Sequence, residues 1–299
     1  MRNLLIIIIC LVVFSSCDKV ENPIPIEEGS VDWTLYPGGD PATYPYPTWL
    51  ENTNTKQNVL IEDYTGHLCT NCPAAAELAS TIESDNLDRV FVASIHASPS
   101  GAFQALSPPK FITDFTTSAG NSYCSDMPGF LGNPMGTINR TNGGYQAGLV
   151  WYLSSEWTNK TSTLLTRNLR VNLQLKYNYF ESTNGLFIHT ETEILEGIEG
   201  PYNLILYLIR DTVISPQKLG NGTTNEEYHH HSILTDNING TWGTQIVDET
   251  AFAGEKIYNN FSYQIPTTDS TFNIDNLSLI SYVCNRENFE ILQVIKTKL

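Results

Sequence analysis

The sequence predicts an α/β domain followed by an all-β sandwich, and three observations lead there. Residues 58–140 alternate short apolar runs with helix-forming stretches. From about residue 168 onward the chain turns to alternating or solidly apolar segments separated by turn residues. Charged residues make up only 16% of the chain, below the usual quarter, and Asn, Thr and Ser supply much of the polar character, as in β-rich exported proteins.

The first residues read as a targeting segment. Arg2 supplies a positive start, and Leu4 to Phe14 is an apolar run of eleven residues. A spanning helix needs ~20 residues, so this run is too short to cross a bilayer comfortably. Ser15 and Ser16 then place small residues directly before Cys17. Phe-Ser-Ser-Cys resembles a bacterial lipobox, in which the cysteine thiol receives a diacylglyceryl group and becomes the new N-terminus. Residues 1–16 are therefore expected to be a lipoprotein signal peptide and Cys17 the lipidation site. Residues 17–50, rich in Pro, Gly and acids, read as a tether.

Residues 51–168 carry the α/β pattern. NVLIEDY (58–64) reads as a buried strand and PAAAELASTIES (73–84) as a helix opened by proline, whose missing N–H is harmless at the first helical position. RVFVASIHA (89–97) is a second strand. SPPKFITDFTTSAG (107–120) predicts a helix capped by Ser107, with Pro108 and Pro109 in its first turn. A short strand is expected over 135–140 and a closing helix over 151–165. This order describes a thioredoxin-like layer with an insertion at roughly 98–130. Residues 169–299 contain LRVNLQLKYNYF, GLFIHTETEIL, YNLILYLIRD, KIYNNFSYQI and LSLISYVCN, which describe an antiparallel sandwich of six to eight strands.

Charge and cysteines bound the chemistry. A formal net charge of −16 repels phosphate backbones, so nucleic acid is not an expected partner. Of the six cysteines, Cys10 leaves with the signal and Cys17 takes lipid. Cys69 and Cys72 stand three apart, and Cys124 and Cys284 stand alone. Outside the cytoplasm disulfides persist, so the close pair fits either a staple or a redox couple. The pair falls between a strand and a helix start, where orphan N–H groups and the macrodipole favour thiolate. In that reading Cys69 attacks and Cys72 resolves. Asp63, six residues before Cys69, occupies the spacing of the buried carboxylate that relays protons in thioredoxins, while its neighbour Glu62 faces the opposite side. Pro134, directly before a strand, stands where thioredoxin-like folds place a substrate-facing proline.

Other readings are weaker. Zinc would need two more ligands at suitable spacing, and no second CxxC exists, so no metal or other cofactor is expected. A peroxiredoxin would carry Thr three residues before its reactive cysteine, and Gly66 stands there. His229 and His231 would share a face of a strand and could bind a metal, although such histidines are more often exposed or hydrogen-bonded. His67 and His96 lie near the cysteines, with a polar rim as the ordinary reading for His67.

The segments VLIEDYTGHLCTNCPAAAELA, VASIHA and GNPMGTINR resemble the outer-membrane-protein-28-related family of thioredoxin-like bacterial lipoproteins. The resemblance continues through YHHHSIL, NGTWG and LSLISYVCNRENFEILQ and covers most of residues 55–299. It implies an outer-membrane lipoprotein, facing the periplasm or the cell surface, with an α/β thioredoxin-like domain followed by an all-β immunoglobulin-like sandwich. Cys69, Cys72, Pro73 and Pro134 match its pattern. Relative to thioredoxins, Leu68 replaces the usual Trp, and Thr70-Asn71 replaces Gly-Pro. The resemblance supplies no defined activity. Two functions stay open: thiol–disulfide exchange on exported proteins, with their thiols or disulfides and the membrane as partners, or non-catalytic binding or adhesion at the outer membrane.

Overall fold

The computed structural model describes residues 31–267 and 269–299; the signal peptide and Cys17 lie outside them. Fourteen strands form among the described residues, eight of them close to where the sequence predicts a strand. They are β1 (Val59–Thr65), β2 (Val90–His96), β3 (Met135–Ile138), β4 (Trp151–Tyr152), β5 (Val171–Phe180), β6 (Gly185–Ile194) and β7 (Ile198–Glu199). Then follow β8 (Tyr202–Lys218), β9 (Thr224–Asn237), β10 (Thr244–Val247), β11 (Thr250–Ala251), β12 (Lys256–Gln264), β13 (Leu277–Asn285) and β14 (Ile291–Lys298). Three α-helices accompany them among the described residues: α1 (Cys72–Asp85), α2 (Ser118–Asp126) and α3 (Trp157–Leu164).

The expected fold class is overturned. An α/β thioredoxin-like domain followed by a separate all-β immunoglobulin-like sandwich would give three sheets, one in the first domain and two packed face to face in the second, with separate cores. Instead one nine-stranded mixed sheet runs β14-β13-β8-β9-β2-β1-β3-β4, with β10 added on β8. The joint is β9, which pairs antiparallel with β8 and meets β2 in parallel at Ser94 and Ile233. β12, β6 and β5 form a second, three-stranded antiparallel sheet.

Strand alternation explains how one sheet serves both halves of the chain. Successive side chains of a strand point to opposite faces. In β8, Leu204, Leu206 and Leu208 enter a core shared with β5, β6, β12 and β13. Ile205, Tyr207 and Ile209 point the other way, into a core that also holds Leu60, Tyr64, Ala93 and Ile95 from β1 and β2. A strand buried on both faces must be apolar throughout, which is why YNLILYLIRD lacks alternation. The sheet also curls. Asn58 donates from its backbone N to the Gln293 side chain and from Nδ2 to the Val294 carbonyl, bringing β14 to the start of β1.

Two expected helices differ. The helix expected from Ser107 does not form there: Ser107 and Phe111 exchange two backbone hydrogen bonds and close a turn. The helix begins at Ser118 instead, because Thr117 accepts from Gly120 N through its side chain and caps it. The expected closing helix over 151–165 splits into β4 and α3, since Trp151 and Tyr152 pair with Thr137 and Gly136. Within the expected tether, residues 31–50 lie against the smaller sheet. Leu35 and Tyr44 are buried beside Phe187, and the Tyr44 hydroxyl meets His189 Nε2 at 2.7 Å.

Candidate functional site: a groove between α1 and β9

The parity of β1 and β2 builds the site. Val59 and Ile61 of β1, with Val90 and Val92 of β2, pack beneath α1 through Ala75, Ala79 and Ile82. The 3- and 4-residue spacing of Cys72, Ala75, Ala79 and Ile82 is one helical face, and its small residues let the helix approach the sheet. The same parity continues into Asp63 and Thr65 on β1 and Ser94 and His96 on β2, so the sheet surface turns polar towards its far end. Together with α1 and with residues 228–232 of β9, these side chains line a groove of about 1020 Å³.

The expected site residues fall as follows. Cys69 and Cys72 form a disulfide and are 2% and 1% exposed. Asp63, Cys72 and Pro134 line the groove; Cys69 does not. The peptide bond between Asn133 and Pro134 is cis. The loop before Cys69 is held on both sides. Leu68 N donates to the Phe103 carbonyl, and a Cβ on Gly66 would stand 2.5 Å from that same oxygen, so the close approach requires glycine. From the other side Lys218 N donates to the His67 carbonyl, and Gln217 Nε2 donates to the Cys69 carbonyl at 3.0 Å. The unusual length of β8 delivers these last two contacts.

Asp63 is fully buried, and neither carboxylate oxygen has a hydrogen-bond partner. Burial pushes its carboxyl up to about 7. His96, also buried, has no partner on either ring nitrogen, and burial with His230 nearby holds it well below the ordinary histidine range. Burial pulls His230 down to about 4, and its Nε2 is unpartnered. His229 and His231 are exposed on the other face of β9, ring centroids 6.2 Å apart. Among the described residues no three His, Cys, Asp or Glu side chains converge as metal ligands. His67 is buried rather than on a rim: its Nε2 lies 3.0 Å from the Ala105 carbonyl and its ring stacks on Phe111.

Glu62 does face away from Asp63. Its carboxylate receives Arg140 Nε at 2.7 Å and Nη2 at 2.6 Å, Thr137 Oγ1 at 2.6 Å and the Tyr207 hydroxyl at 2.7 Å. Burial alone would raise this carboxyl, but Arg140 and the two hydroxyls hold it below the usual range. The arginine, itself fully buried, lies 4.2 Å from the Tyr123 ring centre. This is a structural tie between β1, β3 and β8. Cys124 and Cys284 are free, and burial pushes their thiols up to about 12 and about 11. Neither lines the groove.

Gln217, Tyr228 and Arg140 are not legible as site residues in the sequence, and His230 only as the middle of the 229–231 histidine run. Arg140 pairs with Glu62 only once β3 lies beside β1, and His230 joins His96 only once β9 lies beside β2. His96, expected near the cysteines, reaches the groove because it shares Asp63's parity in a parallel pair.

Comparison with known proteins gives the class. Residues 123–299 match the family model described as outer membrane protein Omp28, and the chain belongs to that family. The protein is thereby an outer-membrane protein. No curated protein matches the chain. Among solved structures, HBP35 of Porphyromonas gingivalis superposes with a TM-score of 0.61 at 16% identity, over 83% of this chain and 77% of that one, a likeness of fold. A domain of the outer membrane lipoprotein Omp28 from Porphyromonas gingivalis matches at 20% identity over 44% of this chain and 88% of that one, with a TM-score of 0.31. The protein AGR_C_4864 from Agrobacterium tumefaciens matches at 10% identity over 80% of this chain and 93% of that one, with a TM-score of 0.49.

Proposed function

We propose that this outer-membrane protein is held by lipid on Cys17 and acts by binding, without catalysis, the Cys69–Cys72 disulfide serving as a staple. The observation that carries this reading is the burial of both cysteines, 2% and 1% exposed, in a loop tied down by Gln217 and by the Phe103 carbonyl. Thiol–disulfide exchange requires an incoming thiolate to reach a sulfur, so access limits the rate as much as nucleophilicity does. As a staple the bond closes only a short loop between residues three apart. Loop-closure entropy gives such a bond about 2 kcal/mol.

Exchange on exported proteins is the second reading, and one observation favours it: Asp63, Cys72 and Pro134 share the groove. Trapping separates the two. Exchange requires Cys72→Ala to accumulate mixed disulfides with exported proteins while Cys69→Ala does not. Binding requires empty lanes for both variants on diagonal gels. A ladder of adducts confined to Cys72→Ala would overturn the binding reading. For the anchor, mass spectrometry of the mature N-terminus should find a lipidated Cys17, and Cys17→Ser should release the protein from the membrane. An unmodified Cys17 would sink that part.

A further inference from the structure

β9 parts from its neighbour partway along. Ile233 pairs with Ser94 of β2. The residue before it, Ser232, has a φ of 52°, a left-handed conformation uncommon for a residue with a side chain. Such a residue bends the strand. From His231 back to Thr224, β9 pairs with β8 alone, along Thr212 to Lys218. The two strands leave β2 together as an arm, and the opening between this arm, β2 and α1 is the groove.

Side chains of a strand alternate between its two faces. Five consecutive residues, Tyr228 to Ser232, nevertheless line the groove, so the edge of β9 borders it rather than either face. A strand edge presents backbone N–H and C=O groups ready to pair with another chain. Beyond the ladder with β8, no hydrogen bond reaches the backbone of Tyr228–Ser232 among the described residues. The facing wall is the outer side of α1, where Ala74, Ala76 and Ser80 are small and leave room beside the edge. The groove follows α1 from Cys72 to Glu83, about 16 Å at ~1.5 Å per helical residue. That length takes ~5 residues of extended chain at ~3.3 Å each.

Charge selects the occupant. The formal net charge of −16 makes a second copy of this chain repel the first. The groove lining contains no Lys or Arg, and Glu77 stands exposed along it. Lys296 lies at the far end, 3.5 Å from the Ser232 hydroxyl, and acts on Glu83 there. The acidic charge left facing an incoming chain is that of Glu77.

We propose that the edge of β9 at Tyr228–Ser232 takes up an extended, lysine- or arginine-rich segment of another protein as an added strand between β9 and α1. The proposal rests on the binding reading and names its class of partner. Main-chain hydrogen bonds supply the affinity, and Glu77 with the net charge selects for a basic sequence. None of the buried side chains on the groove floor has to be reached.

Fluorescence anisotropy of a labelled peptide of alternating lysine and valine, titrated with the full-length protein in detergent at low salt and pH 7, tests it. Saturable binding is expected. The same peptide N-methylated at every backbone nitrogen keeps its charge but loses its N–H donors, and it should bind at least tenfold more weakly. A peptide with glutamate in place of lysine should not bind. Ala76→Trp, which fills the groove from the outer side of α1, should weaken binding about tenfold. Glu77→Gln should weaken it about threefold, the size of an exposed ion pair. Glu255→Gln, on an exposed turn away from the groove, should change nothing. Hydrogen exchange should show new amide protection at residues 228–232 when the peptide is bound. No binding, equal binding of the N-methylated peptide, equal binding of the glutamate peptide, or protection confined to another part of the chain would each overturn the proposal. Failure of the binding reading shows separately, as trapped disulfides. Glu77→Gln keeps the test open should Ala76→Trp not fold.

Discussion

Replacing Asp63 by Asn should make the protein more stable at neutral pH and leave it unchanged in acid. The carboxyl is fully buried with both oxygens unpartnered, and burial raises it from 3.8 to about 7. Well below pH 3.8 the group is protonated in folded and unfolded chains alike and contributes nothing to pH dependence. Between pH 4 and 7 the unfolded chain ionises while the folded one keeps its proton, so stability falls as pH rises. Above pH 7 both are ionised and the full penalty remains. At ~1.4 kcal/mol for each tenfold change in proton affinity, a rise from 3.8 to about 7 corresponds to about 4 kcal/mol. Asn has the same shape and cannot ionise, so it escapes this penalty and retains only the cost of an unpaired amide. Urea unfolding of wild type and Asp63→Asn at pH 4, 6 and 8 should give a gap that opens with pH towards that value. A gap independent of pH, or an Asn variant less stable at pH 8, would refute the account of Asp63 as a buried, unpaired acid.

Arg140→Met should cost about 3–5 kcal/mol, because it leaves the Glu62 carboxylate buried without its counter-ion; adding Glu62→Gln should recover part of the loss, and a single variant as stable as wild type would count against the tie. Cys124, buried and with its thiol pushed up to about 12, should resist iodoacetamide at pH 8 in the native protein and react fully in denaturant, as mass spectrometry would show. A fragment of residues 46–168 should aggregate, because Leu60, Tyr64, Ala93 and Ile95 would lose Ile205, Tyr207, Ile280 and Tyr282 from their shared core; a sharp cooperative unfolding transition of that fragment would refute this.

Much of the local structure was legible. β1, α1 and β2 follow from apolar periodicity and a proline at the helix start, and the long C-terminal strands follow from β-branched and aromatic runs. The opposed faces of Glu62 and Asp63 follow from strand parity alone. Elsewhere local signals misled. Ser107-Pro108-Pro109 has the composition of a helix start, yet the backbone pairing of Ser107 with Phe111 closes a turn there and Thr117 supplies the cap.

What the sequence by itself determined is therefore the period of each segment, the place of the cysteine pair between strand and helix, and the acidic charge. Those properties depend on neighbours a few residues away. Only the tertiary structure decided that β9 stands beside β2, at Ser94 and Ile233, and so joins the two halves in one sheet. That single pairing overturned the modular fold, carried Tyr228 and His230 to Asp63 and His96, and set Gln217 over the cysteine loop. Such pairings join residues more than a hundred positions apart, and their stability comes from burying a shared core rather than from any local preference. A β-strand's sequence reports which faces it buries, and YNLILYLIRD reports two, but not which partner buries them.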